Sequence, residues 1–210
     1  MKTPLLFTCL MLVAMTLAGF ASSRSNPLNS IKPFQYKHKQ TGALVTFCTA
    51  WSTYLNGFQR WITAYHCVAD EMTMEIDTSF EYYVDGVRVY LHSGNQALDL
   101  VALEGGPTAP GLKVARKMPE SITDKGELAP IWGVGFPHGI RHVVSGTIAG
   151  EFDIFSIFQL PVMGGMSGGP VLSGASVIGV IQQSACNPAV FCPVGISARL
   201  DKLRLFLFSE

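Results

Sequence analysis

Charged residues are scarce in this chain of 210 residues, at 14% of the sequence, and the formal net charge is zero. In globular domains about a quarter of all residues are usually charged. The sequence has no basic stripe and no acidic tail, which argues against a nucleic-acid partner. His38, His92, His138 and His142 lack the spacing of a metal site, so no metal is expected, and the sequence implies no other cofactor.

Long hydrophobic runs are lacking as well, apart from one near the N-terminus. Residues 5–18 are apolar, follow the positive start Met1-Lys2, and are too few for a comfortable membrane span. Gly19-Phe20-Ala21 then offers small residues where a signal peptidase cuts. We predict a signal peptide at residues 1–21, with an uncleaved N-terminal anchor as the alternative. The mature protein is then expected to be secreted or periplasmic, with no stable membrane association unless the leader is retained.

Cysteine is sparse, and the count depends on the leader. The chain has five cysteines, of which Cys9 would leave with the signal peptide. The remaining four can pair in three ways. An oxidising compartment favours disulfides over four buried free thiols.

Glycine, in contrast, is plentiful, with 21 residues, and short apolar runs recur along the chain. This pattern predicts an all-β protein. Residues 22–40 are polar and aperiodic, which indicates a linker or propeptide, or else an ordered N-terminal arm. The predicted strands of a first half, residues 41–106, are 43–51, 59–64, 72–77, 82–84, 87–91 and 98–103.

A Gly- and Pro-rich segment at residues 104–111 interrupts both helix and strand, and marks the best internal boundary. The second half, residues 107–210, ends in a segment with apolar residues at helical spacing, which predicts a helix over residues 199–208. The predicted strands of this half are 112–115, 128–132, 142–149, 152–159, 170–172, 177–181 and 194–197.

Three segments carry candidate chemistry, and Ser167 lies in the most informative of them, Gly-Gly-Met-Ser-Gly-Gly-Pro at residues 164–170. Glycines around a serine indicate a tight turn whose N–H groups can point at a substrate. Upstream, His66 precedes Cys67, and Asp99 lies in an apolar run. A serine needs an adjacent base to act as a nucleophile. A carboxylate in apolar surroundings needs a partner, and a histidine would supply one.

These segments, in the order His66, Asp99, Ser167, resemble those of the chymotrypsin-like (trypsin-fold) serine peptidases, in the style of their simpler bacterial and viral members. The resemblance covers residues 43–200, roughly. It implies two packed antiparallel six-stranded β-barrels with a C-terminal helix. It also implies that His66 shuttles protons, Asp99 orients it, Ser167 is acylated, and the N–H groups of Gly165 and Ser167 form an oxyanion hole.

The same resemblance implies a disulfide pairing. Members of this family join the cysteine after the catalytic histidine to one on the preceding strand, which implies a Cys48–Cys67 bridge here. Cys186 and Cys192 then remain to close a short loop. Each bridge would stabilise the fold by about 2–4 kcal/mol.

The chain departs from the digestive members at Met166, where they carry an aspartate that pairs with a newly cut N-terminus. We therefore expect no activation switch of that kind. By register with this family, we expect Pro161 and Val162 near the base of the first specificity pocket, Ser184 and Gly195 near its walls, and Gln182, Gln183 and Ser184 at the substrate-binding edge. No acidic residue lies there, which argues against cleavage after Lys or Arg. Members that cleave after Glu or Gln tend to carry a histidine where this chain has Ile181, so an apolar or small substrate side chain is expected.

The sequence thus predicts a secreted serine endopeptidase whose partner is a protein or peptide substrate. One alternative is a catalytically silent, peptide-binding pseudoprotease on the same fold. Another is an anchored processing protease of a virus or mobile element, in which the leader would persist.

Overall fold

The computed structural model describes residues 26–37, 41–70, 72–120, 127–184 and 192–208. Almost all of its regular structure is β, as the glycine-rich, low-charge sequence predicts. The first unit contains six strands, which are β1 (Ile31–Lys37), β2 (Leu44–Leu55), β3 (Phe58–Thr63), β4 (Glu81–Val84), β5 (Val87–Asn95) and β6 (Leu100–Gly105).

The six strands of the first unit close into a barrel in the order β1-β2-β3-β6-β5-β4. Closure comes from β1, which pairs antiparallel with both β2 and β4 and so leaves no free edge. Two hairpins have positive φ at both turn residues, Asn56-Gly57 and Asp85-Gly86, as a tight two-residue turn requires. The barrel interior is filled by apolar side chains, which include Phe34, Ala50, Trp61, Val84, Val89, Val101 and Leu103.

The first barrel differs from the sequence prediction in one of its strands. Its first strand, β1, lies within residues 22–40, so the described part of that range belongs to the ordered barrel and is not a linker. The range 72–77, predicted as a strand, is instead a loop with one isolated bridge. The Asp70 carboxylate accepts the N–H groups of Met72 and Thr73 there, and Met74 has φ 56°, which together form a turn.

The second unit is a single sheet of eight strands in the order β13-β14-β10-β9-β8-β11-β12-β7. Its strands are β7 (Lys113–Val114), β8 (Pro130–Gly135), β9 (His142–Phe152), β10 (Phe155–Val162), β11 (Pro170–Ser173), β12 (Ser176–Val180), β13 (Gln183–Ser184) and β14 (Cys192–Ala198). The six longer strands are contiguous in this sheet, and the two-residue strands β7 and β13 lie at its two edges. Within the described residues, Val180 N–H donates to Ser197 Oγ at 2.7 Å, which draws β12 against β14.

The chain ends in helix α1 (Leu200–Phe208), in the segment where the sequence predicts a helix. Leu200, Leu203 and Leu207 are buried, at the spacing of one helical face. None of the helices in the described ranges is long and apolar enough to cross a membrane.

One of the hydrophobic clusters contains side chains from both units, so the units pack on each other beside β2. Trp51 and Leu100 from the barrel belong to the same buried cluster as Val134, Val180 and Leu203 from the second unit. Polar contacts reinforce the junction from the segment that links the units: Leu112 N–H donates to Ser52 O at 2.8 Å, and Thr53 Oγ1 donates to Leu112 O at 2.9 Å. The candidate catalytic residues therefore belong to two units that pack directly on each other.

Candidate active site

His66 lies in a short 3-10 turn, Tyr65–Cys67, directly after β3. The next residue, Cys67, forms a disulfide with Cys48 on β2, which confirms the predicted bridge. The turn that carries the imidazole is therefore covalently tied to the neighbouring strand. The donor atoms of these three residues lie within 4.8 Å of one another, but the two sulfurs are bonded to each other and offer no thiolate to a metal.

Asp99 lies in a turn just before β6 and not within the strand. Its φ is 48°, a left-handed conformation that aspartate tolerates better than most residues. Asp99 N–H donates to Gln96 O at 3.0 Å, and Leu98 N–H donates to Asn95 Oδ1 at 3.0 Å. The turn directs the carboxylate at the His66 turn, whereas a regular strand would alternate its side chains across the sheet.

The Asp99 carboxylate contacts His66 at two points. Asp99 Oδ1 accepts the main-chain N–H of His66 at 2.8 Å, and Oδ2 lies 2.8 Å from the imidazole Nδ1. Tyr65 N–H adds a 3.1 Å bond to Asp99 O. An ionised carboxylate only accepts, so Nδ1 carries the proton and Nε2 keeps its lone pair. The His66 side chain is 37% exposed, which leaves the ring open to solvent for proton transfer.

Gln182 reaches from the second unit to the Asp99 turn. Its Nε2 donates to Leu98 O and, at 3.3 Å, to Asp99 O, and the residue is only 4% exposed. Its main-chain N–H donates to Ile196 O at 2.9 Å. The sequence predicts that the main chain of Gln182 lies at the substrate edge; its side chain is buried against the aspartate turn. Among the described residues, Gln182 Oε1 has no hydrogen-bond partner.

Ser167 lies in the glycine loop, which we define as residues 163–169. The loop is shaped by Gly165 (φ 90°) and Gly168 (φ 81°), conformations that L side chains rarely adopt. Met166 N–H donates to Met163 O at 3.0 Å, and Gly169 N–H donates to Met166 O at 2.9 Å. Within the described part of the chain, the N–H groups of Gly165 and Ser167 have no acceptor, and such free donors are what an oxyanion hole requires.

The glycine loop packs on the end of β3, close to the His66 turn. A Cβ on Gly168 would overlap Thr63 Oγ1 and Thr49 O, and would lie 2.9 Å from Ala64 N. Ser167 O accepts Thr49 N–H at 2.8 Å. Since Ala64 is two residues before His66, these contacts bring the serine segment and the histidine turn together across the junction of the two units.

Two residues of the predicted specificity pocket, Ser184 and Val162, lie next to a third, Gly195. Gly195 pairs with Ser184 of β13 and with Phe158 of β10. The Val162 side chain, which is buried, lies 3.0 Å from where a Cβ on Gly195 would be. Pro161 precedes Val162 at the end of β10, and Gln183 pairs with Ile196. Cys186 of the predicted Cys186–Cys192 bridge lies outside the described residues.

Sequence reasoning did not identify Thr49, which is fully buried and contacts the glycine loop through both main chain and side chain. A threonine in a strand is ordinary in an all-β protein. Its only distinguishing signal is its position directly after Cys48, and that position gains meaning only once the pairing of the two units is known.

Comparison with known proteins supports the fold. No protein-family model matches the chain, and no curated protein matches it. The structure is similar to the crystal structure of the Rv3671c protease from M. tuberculosis in its active form, with a TM-score of 0.61 and 17% sequence identity over 86% of this chain and 81% of that one. The closed barrel, the second sheet and the C-terminal helix, together with this similarity, assign to this chain the fold of the chymotrypsin-like serine peptidases.

Proposed function

We propose that this protein is an exported serine endopeptidase that acts on protein or peptide substrates. The observation that carries the proposal is the two-point contact between Asp99 and His66. It lies beside the glycine loop, in which the N–H groups of Gly165 and Ser167 have no acceptor among the described residues. A chymotrypsin-like fold alone does not specify an activity, but this combination of base, orienting carboxylate and N–H donors suits acyl transfer.

In the first half of the reaction, Ser167 Oγ attacks the carbonyl carbon of the scissile peptide bond while His66 Nε2 accepts the hydroxyl proton. The carbonyl electron pair moves to oxygen, and the N–H groups of Gly165 and Ser167 bind the resulting oxyanion. Asp99 holds the Nδ1 proton and stabilises the imidazolium. Collapse of the tetrahedral intermediate breaks the C–N bond, and the leaving amine takes its proton from Nε2.

The second half repeats these steps with water. His66 Nε2 accepts a proton from water as its oxygen attacks the acyl carbon, and the oxyanion occupies the same two N–H groups. Collapse breaks the ester bond, and the proton on Nε2 returns to Ser167 Oγ. Nε2 must therefore alternate between base and acid, which requires that Asp99 keep the ring in one orientation throughout.

Export is supported by the disulfide between Cys48 and Cys67, because such bonds persist in oxidising compartments and are rare in the cytosol. The signal peptide predicted at residues 1–21 lies outside the described residues. The mass of the mature protein would show whether the leader is removed.

An apolar or small side chain is the substrate preference that the pocket residues support. Val162 fills space beside Gly195, and residues 160–163, 181–184 and 194–196 include no charged side chain. A basic or acidic substrate group would be buried there without a partner, which is costly. Profiling the purified enzyme on a peptide library should show cleavage after small or apolar residues; cleavage confined to Lys, Arg or Glu would contradict this assignment.

The test of the mechanism is the intact mass of exported, oxidised protein before and after reaction with a fluorophosphonate probe. We expect one adduct on the wild type and none on Ser167→Ala, since the probe labels only an activated serine. Ser173→Ala, which changes a serine at the end of β11, is the matched control and should still be labelled. No adduct on folded wild type would refute the peptidase and favour the peptide-binding pseudoprotease.

A further inference from the structure

We propose that Thr49 is a positioning residue that holds the glycine loop in its active shape from the opposite unit of the fold. The inference rests on the proposed function, and it explains how an oxyanion hole is maintained in a loop that has an apolar side chain at position 166. Thr49 lies on β2, in the first barrel, whereas the loop belongs to the second unit.

All hydrogen-bonding groups of Thr49 are engaged, and its Oγ1 and main-chain N–H bind across the junction. Its Oγ1 accepts Phe136 N–H at 2.9 Å and lies 2.8 Å from Gly165 O. A hydroxyl has a single proton, so the bond accepted from Phe136 leaves that proton to be donated to Gly165 O. The Thr49 main chain donates to Ser167 O at 2.8 Å and accepts from Thr63 Oγ1 at 2.7 Å.

These two contacts with the loop fix the carbonyls of Gly165 and Ser167, on either side of Met166. Peptide planarity links these two carbonyls rigidly to the N–H groups of Met166 and Gly168, so both of these peptide planes are held. The remaining freedom lies in the dihedral angles of Gly165, which has φ 90° and little intrinsic preference for that state. Holding the Gly165 carbonyl therefore restricts the rotation that would turn its N–H away from the oxyanion.

The residue at the centre of the loop, Met166, has no polar side chain that could hold the Gly165 carbonyl. Met166 is fully buried and packs so closely on β8 that a Cβ on Gly135 would lie 2.7 Å from Met166 Cα. On the other side, a Cβ on Gly165 would lie 2.8 Å from Pro137 Cα. The loop is thus confined sterically between β8 and the segment after it, and Thr49 supplies the directional contact.

Thr49→Val tests the proposal, because it keeps the shape of the side chain and removes the hydroxyl. On a peptide substrate we expect kcat to fall about 10- to 100-fold, with KM changed less than about 2-fold, since loss of one whole oxyanion donor costs roughly 10²–10³ in kcat. Thr49→Ser keeps the hydroxyl and should retain kcat within a few-fold. Thr53→Val is the matched control, because Thr53 is a buried threonine of the same strand whose Oγ1 also donates to a carbonyl, Leu112 O.

A second readout follows the loop without relying on activity. In ¹H–¹⁵N NMR spectra of wild type and variants, the amide signals of Gly165 and Ser167 should shift or broaden in Thr49→Val and stay in place in Thr53→Val. Thr49→Ala, which is smaller and leaves room for water, serves if Thr49→Val does not fold. Loss of kcat together with displaced loop amides supports the proposal.

Two results would overturn it. One is a Thr49→Val protein whose loop amides are unchanged, whether or not the wild type is active. The other is an equal loss of kcat in Thr53→Val, which would reduce Thr49 to a general packing role. Failure of the proposed function is recognised separately, by wild-type protein that does not react with the serine probe, and the amide signals still decide the role of Thr49 in that case.

Discussion

At the scale of single residues, Asp99 illustrates how backbone conformation serves a side chain. Its φ of 48° is unusual for a non-glycine residue, and it allows one carboxylate to meet both the main chain and the ring of His66. Because the main-chain N–H occupies one oxygen, only the other is available to the imidazole. The two oxygens of Asp99 therefore have separate tasks.

This division predicts the effect of Asp99→Asn. The amide has one oxygen, which the His66 main-chain N–H will retain, so the NH₂ group must face Nδ1. Nδ1 then accepts, the ring proton moves to Nε2, and Nε2 can no longer accept from Ser167. We expect kcat to fall by about 10⁴-fold, the loss seen for this change in other triads, while the fold, followed by circular dichroism, is unaltered.

The control is Asp85→Asn. Asp85 has the same φ of 48° in the β4–β5 hairpin and makes an ion pair with Lys32 at 2.7 Å on the surface. An exposed pair of this kind contributes at most about 1 kcal/mol, so activity should be unchanged. If Asp99→Asn were as active as Asp85→Asn, Asp99 would not set the tautomer of His66.

The contacts that Thr49 and Gln182 make with the site could not be predicted from the sequence. The order of His66, Asp99 and Ser167 and the glycines around the serine are local patterns that the sequence displays. Thr49 and Gln182, by contrast, act on groups more than eighty positions away in the chain. No local pattern encodes such contacts, because they depend on how the second unit packs on the first.

At the scale of elements, the glycine loop meets the end of β3 at Gly168, where the backbone leaves no room for a side chain. Gly168→Ala would force the loop away from Ala64 and so separate Ser167 from the His66 turn. A displacement of about 1 Å can cost 10²-fold in rate, so we expect at least that loss of kcat. The measurement is kcat on a peptide substrate, together with urea unfolding.

Gly174→Ala separates the steric effect from backbone strain. Gly174 also has positive φ, at 58°, but nothing lies within 4 Å of its would-be Cβ. The change should cost about 1–2 kcal/mol of unfolding free energy and leave kcat unaffected. Equal activity of the two alanine variants would show that the close approach at Gly168 is not needed for the site.

The elements also show why one strand was missed and another was wrongly expected. Strand β1 contains Pro33, and only two of its seven residues, Ile31 and Phe34, are fully buried, so it lacks the alternation of a half-buried strand. Residues 72–77 do alternate apolar and polar side chains. The turn at Asp70 and the positive φ of Met74 prevent a strand there, since local turn chemistry outweighs a short apolar period.

At the scale of the whole molecule, the sequence predicted the class of fold because that class depends on repeated features. Many short apolar runs, frequent glycines and a Gly/Pro-rich break in the middle predict two all-β units with a final helix, and the chymotrypsin-like fold confirms this. Sheet order and the shared core could not be predicted in this way. They arise from pairing between distant strands, such as β1 with β4 and β7 with β12.

Cys48 and Thr49 are consecutive on β2, and together they join the two halves of the site. One is bonded to the turn that carries the histidine, and the other holds the loop that carries the serine. During evolution, therefore, the two units are not free to diverge independently. A recombination event that exchanged the second unit would succeed only if the incoming loop fitted this dipeptide, so a strand of the first unit limits which sequences the serine loop can have.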